Sequence, residues 1–428
     1  MEALKIRNAS AMPAPTWSWL RMNAATLEVP EGLERVRAVT VEADSDLTET
    51  HASFEGALAA LQERLDAARG NEGDGRACVR AATAEAESLE DLDTPALSAY
   101  QLRATREEVA GDVAAAFETG IGVDARSYLN FLAGGTVVLA TEPGADEAAC
   151  VRVAGEAGGA AAASVDVVAA EDSTLSLTVS LDGAGSEGAA GLVGSELRVF
   201  AGARSHVDVC VYVTAEEGFT VLDDSGYVLD EGARVSVRHV VLGGGRTATG
   251  LAADLRGDTA RMDVATSYLA SGEEQRDFTY TIRHRGRRTV SDMDANGVLT
   301  GTAKKVLRGT IDLVHGCKGS EGSERETVLL ASQGVDNKTV PTILCDEDDV
   351  AGNHGATIGH VRPEQLFYLG CRGLSPEDAE ALFVTAKLED AANGAPDAQV
   401  RANVERLAAR VDPRFDADDR DETEEERA

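Results

Sequence analysis

The chain has 428 residues, a formal net charge of −34 at pH 7 and an aromatic content of only 4%. This length allows two or three structural units, and the excess of acids excludes broad nucleic-acid binding, which requires surplus Lys and Arg against phosphate. With so few aromatic residues, the core must consist mainly of Val, Leu, Ala and Ile.

The N-terminal residues 1–21 carry basic side chains but lack the apolar stretch of a signal peptide. No run of about 18 apolar residues occurs in the sequence, so we expect no membrane span. The six cysteines are scattered and none belongs to a C-x-x-C pair. This usage is typical of a cytoplasmic protein with reduced thiols and argues against a structural zinc site.

Residues 1–125 are predicted to form a helical N-terminal region. Thr94-Pro95 is typical of a helix start, with proline in the first turn. The segment 13–17 is predicted to be an extended arm that precedes the helices. An earlier helix is indicated by apolar residues at helical spacing, namely Leu58, Leu61, Leu65 and Ala68.

Residues 126–347 are predicted to form a core of short strands, because apolar and polar residues alternate through segments such as 175–181 and 207–213. No amphipathic helices intervene, which makes a doubly wound α/β sheet improbable. A sandwich, an up-and-down barrel and a β-helix remain open. The large number of strands favours a solenoid of stacked coils with covered ends. Asn296-Gly297 is the one clear hairpin signal.

Residues 348–411 are predicted to form a helical C-terminal region. One helix begins at about Pro363, and Ser375-Pro376 is a strong start for another, with an N-cap serine and a first-turn proline. Residues 412–428 contain nine acids and three arginines and are predicted to form a disordered acidic tail.

The common catalytic motifs are missing from the sequence, which contains no G-x-S-x-G, H-E-x-x-H or G-x-x-x-x-G-K-[ST] pattern. We therefore expect no nucleotide to be bound by this chain. The basic cluster 283–288 is interpreted as a solvated turn between strands, and the triple glycine 243–245 as a plain turn. Asp348-Asp349 is interpreted as a pair of turn-forming or helix-capping acids.

His354 is the exception, because it lies between an asparagine and a glycine in a predicted tight turn. Imidazole is a common ligand of iron and zinc. On spacing alone a surface histidine is favoured, and a ligand role would require a second protein to supply further ligands. The neighbouring candidates give no recognisable ligand spacing; they are Cys345, His360 and Cys371.

Several segments around His354 together resemble the C-terminal signature of the SufB/SufD family, scaffold proteins of the SUF iron–sulfur cluster assembly system. The similarity covers about residues 278–388, and His284 and Ser291 also follow the family's order. The segments that carry the resemblance are 339–341, 348–350, 353–359, 366–369 and 372–374.

The resemblance implies a mainly β fold, a right-handed parallel β-helix core flanked by α-helical N- and C-terminal regions. It implies a non-enzymatic subunit of a cytoplasmic complex with a SufB-type paralogue and the ABC-type ATPase SufC, which docks on about residues 363–388. It further implies that an iron–sulfur cluster forms transiently at the paralogue interface and is shared between the two chains.

Within this family the chain is most like SufD. B-type members carry an essential cysteine just before the position of Pro341, and residues 332–340 contain none. The D-type histidine implicated as an interface cluster ligand corresponds to His354. Cys345 occupies a usually aliphatic position and is expected to be a small buried side chain. The resemblance assigns no role to Cys371 or His284.

Two alternatives remain open from the sequence. The first is a β-helix carbohydrate-active enzyme, which would use clustered carboxylates along one strand face. The second is a homodimeric scaffold that prefers itself to a paralogue. Flavin binding, the cluster type and the sulfur and electron donors are not indicated by the sequence.

Overall fold

Residues 4–13, 22–44, 117–185 and 189–411 are described in the structure, a computed structural model, and most of them lie in strands. The strands of the N-terminal part are β1 (Lys5–Ala9), β2 (Ala25–Glu28), β3 (Glu34–Arg35), β4 (Val39–Ala43), β5 (Val137–Ala140), β6 (Asp146–Glu156), β7 (Gly159–Ala169), β8 (Thr174–Ala184), β9 (Gly191–Ala201) and β10 (His206–Val213).

The strand series continues without an intervening helix to residue 360. These strands are β11 (Phe219–Leu229), β12 (Arg234–Val241), β13 (Arg246–Leu255), β14 (Arg261–Ala270), β15 (Gln275–His284), β16 (Val290–Leu299), β17 (Lys304–Leu313), β18 (Ser320–Leu330), β19 (Asp336–Cys345) and β20 (Val350–His360). The helices are α1 (Val123–Ala133), α2 (Pro363–Cys371), α3 (Pro376–Asn393) and α4 (Ala398–Val411).

From β6 onward the chain winds as a parallel β-solenoid, in which each coil contributes one strand to each of two sheets. Strands β4, β6 and the following even-numbered strands to β20 form the even sheet, and the odd-numbered strands from β3 to β19 form the odd sheet. Neighbouring coils are in register, so that His206 lies between Thr174 and Arg234. The predicted solenoid is therefore confirmed.

The solenoid interior is formed by the inward rows of alternating strands. Leu175 of β8 lies beside Val207 of β10, and Leu177 lies beside Val209. All four side chains are at most 2% exposed. Burial of each such side chain contributes about 1.5–3 kcal/mol, which explains why period-2 alternation predicted these strands.

The outer face of the odd sheet is covered by N-terminal elements. Ala125 and Leu129 of α1 pack with Leu192 and Leu222, and Ile6 of β1 belongs to the same cluster. Because β9 and β11 are thus covered on both faces, almost every residue in them is buried.

The outer face of the even sheet is covered by the C-terminal helices α3 and α4. Val384 and Leu388 of α3 and Val404 of α4 pack against Tyr212 and Leu242. The helix start predicted at Ser375 is confirmed, because its hydroxyl accepts a hydrogen bond from the Asp378 N–H at 3.1 Å. None of the helices in the described ranges is long and apolar enough to cross a membrane.

The helical prediction for residues 1–125 is wrong for the described part of that region, which contains β1 to β4. The physical reason is strand pairing: β3 and β4 join the solenoid sheets by pairing with β7 and β6, and β1 pairs with β2. The helices predicted around Leu58 and Thr94, the arm tip at 14–17 and the tail at 412–428 lie outside the described residues.

Two further boundaries differ from the sequence prediction. The solenoid extends to His360 rather than ending at residue 347, because 350–360 forms the last strand, β20, paired with β18. Asn296-Gly297 is not a hairpin turn but part of β16. A Cβ on Gly297 would lie 2.0 Å from the Tyr268 ring, so the glycine makes room for an inward tyrosine.

Candidate functional site at the open end of the solenoid

His354 lies near the centre of β20, the last strand of the even sheet, and its side chain is exposed. The predicted tight turn is therefore wrong at this position. Asp348 and Asp349 form the bend that precedes the strand, and the Asp349 carbonyl accepts a hydrogen bond from Gly319 N–H at 2.6 Å. The two acids were correctly predicted to lie in a turn, but they cap no helix.

The alternation of β20 directs His354 to the inward face of the solenoid. A Cβ on Gly352, two residues earlier, would lie 3.0 Å from Ile343 Cγ2 and 3.6 Å from Leu313 Cδ1, both interior side chains. His354 is in register with Glu324 of β18, which is 4% exposed. Because no further coil follows, the imidazole faces the interior but remains open to solvent.

Within the described part of the chain, the main chain of β20 has one unpaired edge, since β20 ends the even sheet. The Asp349 carbonyl accepts its hydrogen bond from the side of β18. The main-chain groups of the odd-numbered residues of β20 therefore also point to β18. The N–H and C=O groups of His354 and the other even-numbered residues then point to the open edge. The strand contains no Asp, Glu, Lys, Arg or Pro, and so lacks the usual features that protect an edge.

The neighbouring edge strand β19 is protected in contrast. Asp336 N–H donates to the Ala303 carbonyl at 2.9 Å, which places the missing N–H of Pro341 at the unpaired edge. Asp336 and Lys338 add an ion pair to this strand. Strand addition at this end of the solenoid is therefore favoured at β20 over β19.

A buried charged cluster lies one coil below His354. The Lys305 ammonium and the Glu326 carboxylate form an ion pair in which both side chains are at most 1% exposed. Tyr268 OH donates to Glu326 at 3.2 Å, and Thr339 of β19 contacts both charged partners. Burial lowers the pKa of Lys305, against the attraction of Glu326.

Glu324 belongs to this layer but is incompletely satisfied. Among the residues that the structure describes, its Oε2 is buried without a hydrogen-bond partner. Its Oε1 lies 2.2 Å from the position that a Cβ on Gly309 would take across the interior. Burial, reinforced by Glu326, raises the pKa of Glu324 to about 7. Sequence reasoning missed these charges; the available signal was that Glu324 and Glu326 continue the inward row of Val328.

The other histidine and cysteine candidates are not brought together with His354. His360 Nδ1 donates to the Leu330 carbonyl at 2.9 Å. Cys345 is exposed, contrary to the expected buried side chain, because β19 is a terminal strand, and Cys371 ends α2. Within the described ranges, no group of three or more His, Cys, Asp or Glu could hold a metal ion.

His284 is a core residue with both ring nitrogens occupied. Nδ1 lies 2.8 Å from Thr289 Oγ1 and Nε2 lies 2.9 Å from Ser291 Oγ. Burial lowers the pKa of the imidazole to about 4, so the ring is neutral at physiological pH. These contacts assign His284 a structural position.

The basic cluster 283–288 is only partly the solvated turn that the sequence predicted. Arg287 and Arg288 are exposed. Arg283 donates to Asp312 at 3.1 Å, and Arg285 is buried and donates to Asp254 at 3.0 Å. These arginines neutralise carboxylates of neighbouring coils, so they do not form a polyanion site.

A second polar cluster lies deeper in the solenoid. Asp223 accepts a hydrogen bond from Ser195 at 2.9 Å, and its Oδ2 lies 3.6 Å from His239 Nε2. His239 stacks on Tyr280, with ring centroids 5.6 Å apart. Burial raises the pKa of Asp223 to about 7 and lowers the pKa of His239 to about 3.

Beyond β20, the helices α2 and α3 present apolar surface. Phe367 and Tyr368 of α2 are 75% and 56% exposed, and Leu382 of α3 is 50% exposed. Tyr368 and Leu382 line a shared groove with Phe383. An exposed aromatic patch of this kind is typical of a protein-binding surface.

Comparison with known proteins shows which family the solenoid part of the chain resembles. The family described as "SUF system FeS cluster assembly, SufBD core domain" matches residues 151–387. The iron–sulfur cluster assembly protein SufD of Bacillus subtilis is 32% identical over 143 residues, which are 33% of this chain and 33% of that protein.

More distant relatives give the same result. SufD of Escherichia coli is 24% identical over 159 residues, 37% of this chain and 38% of that protein. An iron–sulfur cluster assembly SufBD family protein of Mycobacterium tuberculosis is 30% identical over 142 residues, 33% of this chain and 17% of that protein. Each alignment thus spans well under half of the relative's length.

Replacing Asp223 with Asn is expected to stabilise the fold at alkaline pH. The folded-state pKa of Asp223, about 7, exceeds the unfolded value of about 4. The stability that its proton supplies is complete below pH ~4 and is lost as pH rises through 7. Asn keeps the acceptor for Ser195 without a charge. Urea unfolding should give a gain on the order of 2 kcal/mol at pH 8 that shrinks towards pH 5.

The matched control is Asp263→Asn, since Asp263 is a partly exposed carboxylate paired with Arg261. It should show no gain at alkaline pH. An equal effect of Asp223→Asn at pH 5 and pH 8 would contradict the assignment of a raised pKa to Asp223.

Proposed function

The chain belongs to the SufBD family of SUF iron–sulfur cluster assembly proteins, and we propose that it is a D-type scaffold subunit. In this proposal the chain forms a complex with a SufB-type paralogue and a SufC-type ABC ATPase in the cytoplasm. The nascent cluster is the cargo of that complex, held transiently at the interface of the two scaffolds, and the chain itself performs no catalysis and binds no nucleotide.

The open edge of β20 is the observation that carries this proposal. An eleven-residue edge strand without charge or proline can accept a further strand along its whole length. The same end of the solenoid has a second edge, β19, which Pro341 protects. The proposed partner therefore adds a strand to β20, and the even sheet continues into the partner.

The position of His354 within β20 agrees with a role at this junction. If the partner strand runs antiparallel and pairs along all of β20, Gly355 lies at the centre of the paired segment. His354 is then one residue from the centre and faces the shared interior. One imidazole cannot hold a cluster, so the remaining ligands come from the partner.

Replacing Ala356 with Pro is expected to prevent strand addition while leaving the solenoid intact. The N–H of Ala356 points to the open edge, so proline removes no hydrogen bond to β18. Co-expressed with the paralogue, Ala356→Pro should weaken co-purification at least tenfold with an unchanged melting temperature. Thr357→Pro, which removes a bond to β18, should instead lower the melting temperature. Normal assembly of Ala356→Pro would exclude β20 as the contact.

Replacing His354 with Ala tests the ligand role. His354 is exposed, so its removal should leave folding and complex formation unchanged. The iron content of the anaerobically purified complex should fall at least tenfold. His315→Ala is the matched control, since His315 is also exposed. If the His354→Ala complex assembles and forms the cluster as well as the wild type does, His354 is not a cluster ligand.

The exposed patch on α2 and α3 supports the proposed docking of the ATPase on residues 363–388. Phe367→Ser with Tyr368→Ser should weaken ATPase binding at least tenfold in a pull-down, because exposed aromatic anchors dominate such interfaces. Phe131→Ser, at another exposed phenylalanine, on α1, should have no effect. If the double variant on α2 binds the ATPase as strongly as the Phe131→Ser control does, the ATPase docks elsewhere.

The alternative of a carbohydrate-active enzyme is not supported by the comparisons, since the family and its named relatives are all assembly proteins. Self-association through β20 remains an outcome of the Ala356→Pro experiment. If the wild-type chain forms a homodimer and does not bind the paralogue, and if Ala356→Pro dissociates that homodimer, then the homodimer replaces the heterodimer in this proposal.

A further inference from the structure

The unpaired carboxylate oxygen of Glu324 lies beneath His354 in the stacking direction of the solenoid. The two residues are register partners on β18 and β20 and therefore project from the same face. In a sheet, register partners are about 4.8 Å apart, which is within the reach of a glutamate and an imidazole.

The surroundings of Glu324 leave that oxygen without another donor. Lys305, the buried cation whose charge acts on Glu324, is paired with Glu326. Across the interior, Gly309 has no side chain and lies directly against the carboxylate. Oε2 therefore remains buried and unsatisfied in the chain as it stands, a condition that normally costs about 1–3 kcal/mol.

We propose that Glu324 is the positioning residue of His354: when a partner strand closes the end of the solenoid, Glu324 Oε2 accepts a hydrogen bond from one ring nitrogen of His354. The other ring nitrogen is then fixed as the free donor of electron density to iron. A histidine ligand held by a carboxylate in this way has a defined tautomer and orientation and greater basicity.

This inference rests on the proposed function, since it assumes that His354 is an iron ligand at a paralogue interface. It adds that the ligand depends on a buried carboxylate from the preceding coil of the same chain. It also explains the unusual combination of an inward glutamate with a glycine opposite to it.

The test measures Fe²⁺ binding to the complete co-expressed complex under anaerobic conditions. Glu324→Leu removes the acceptor and should weaken Fe²⁺ binding about 10- to 100-fold, the usual effect of losing the partner of a metal-bound histidine. Glu324→Gln keeps an oxygen acceptor of the same shape and should restore affinity to within about threefold of the wild type. Glu321→Gln, an exposed outward carboxylate of the same strand, should change nothing.

A purely structural role of Glu324 would give a different pattern. In that case Glu324→Leu would change the melting temperature or the scaffold–scaffold affinity together with Fe²⁺ binding. Glu324→Gln would then not restore Fe²⁺ affinity alone. If Glu324→Leu does not fold, Gly309→Ala serves instead, because its Cβ would stand 2.2 Å from Oε1 and displace the carboxylate. A tenfold loss of Fe²⁺ affinity in Gly309→Ala supports the inference, and unchanged affinity overturns it.

Different results would contradict the ligand role of His354 and the positioning role of Glu324. If His354→Ala leaves Fe²⁺ binding unchanged, the proposed ligand role is wrong. If His354→Ala abolishes binding but a folded Glu324→Leu complex binds Fe²⁺ as tightly as the wild type, only the positioning role of Glu324 is wrong.

Discussion

The register between coils is the constraint on which the rest of this structure depends. Each inner strand donates and accepts its main-chain hydrogen bonds on both sides, from Thr174 through His206 to Arg234 and onward. A solenoid built this way has no edge except at its two ends, and each end must be covered or used. At the N-terminal end, β4 turns antiparallel against β6 and contributes a closing strand. At the C-terminal end, β20 pairs with β18 on one side, and no other described strand pairs with its opposite edge.

The same register allows the sheets to hold buried charge. A buried ion is tolerated only where a partner lies within bonding distance, and stacking places residues of consecutive coils side by side. Arg198 with Asp166 and Arg308 with Asp277 are such pairs on the outer face of the odd sheet, each joining neighbouring coils. In the interior, Lys305 pairs with Glu326 across the two sheets. Glu324 is an inward carboxylate for which this arrangement is incomplete among the described residues. Its register partner in the last coil is a histidine at the open end.

The sequence was informative where local pattern and tertiary position agree. The alternating row from Leu175 to Leu181 predicted its strand, and Ser375 with Pro376 predicted a helix start, because both signals are set within a few residues. It was misleading where pairing overrides propensity. Small residues and glycines made 350–360 resemble a turn, yet pairing with β18 holds the segment as a strand. Asn296-Gly297 failed for the same reason, since Tyr268, 29 residues earlier in register, determines its role.

The chemistry of the open end follows from what its last strand lacks. In a chain with a net charge of −34, eleven consecutive residues without a formal charge reduce the repulsion that another acidic chain would meet at this edge. The small side chains of β20 also leave the terminal interior layer unfilled, so a partner coil can approach the imidazole. A bulky apolar layer would have closed the solenoid and buried His354 as a core residue. The absence of such a layer leaves the histidine on the interior face but accessible, with a carboxylate of its own chain below it and space for a second chain above.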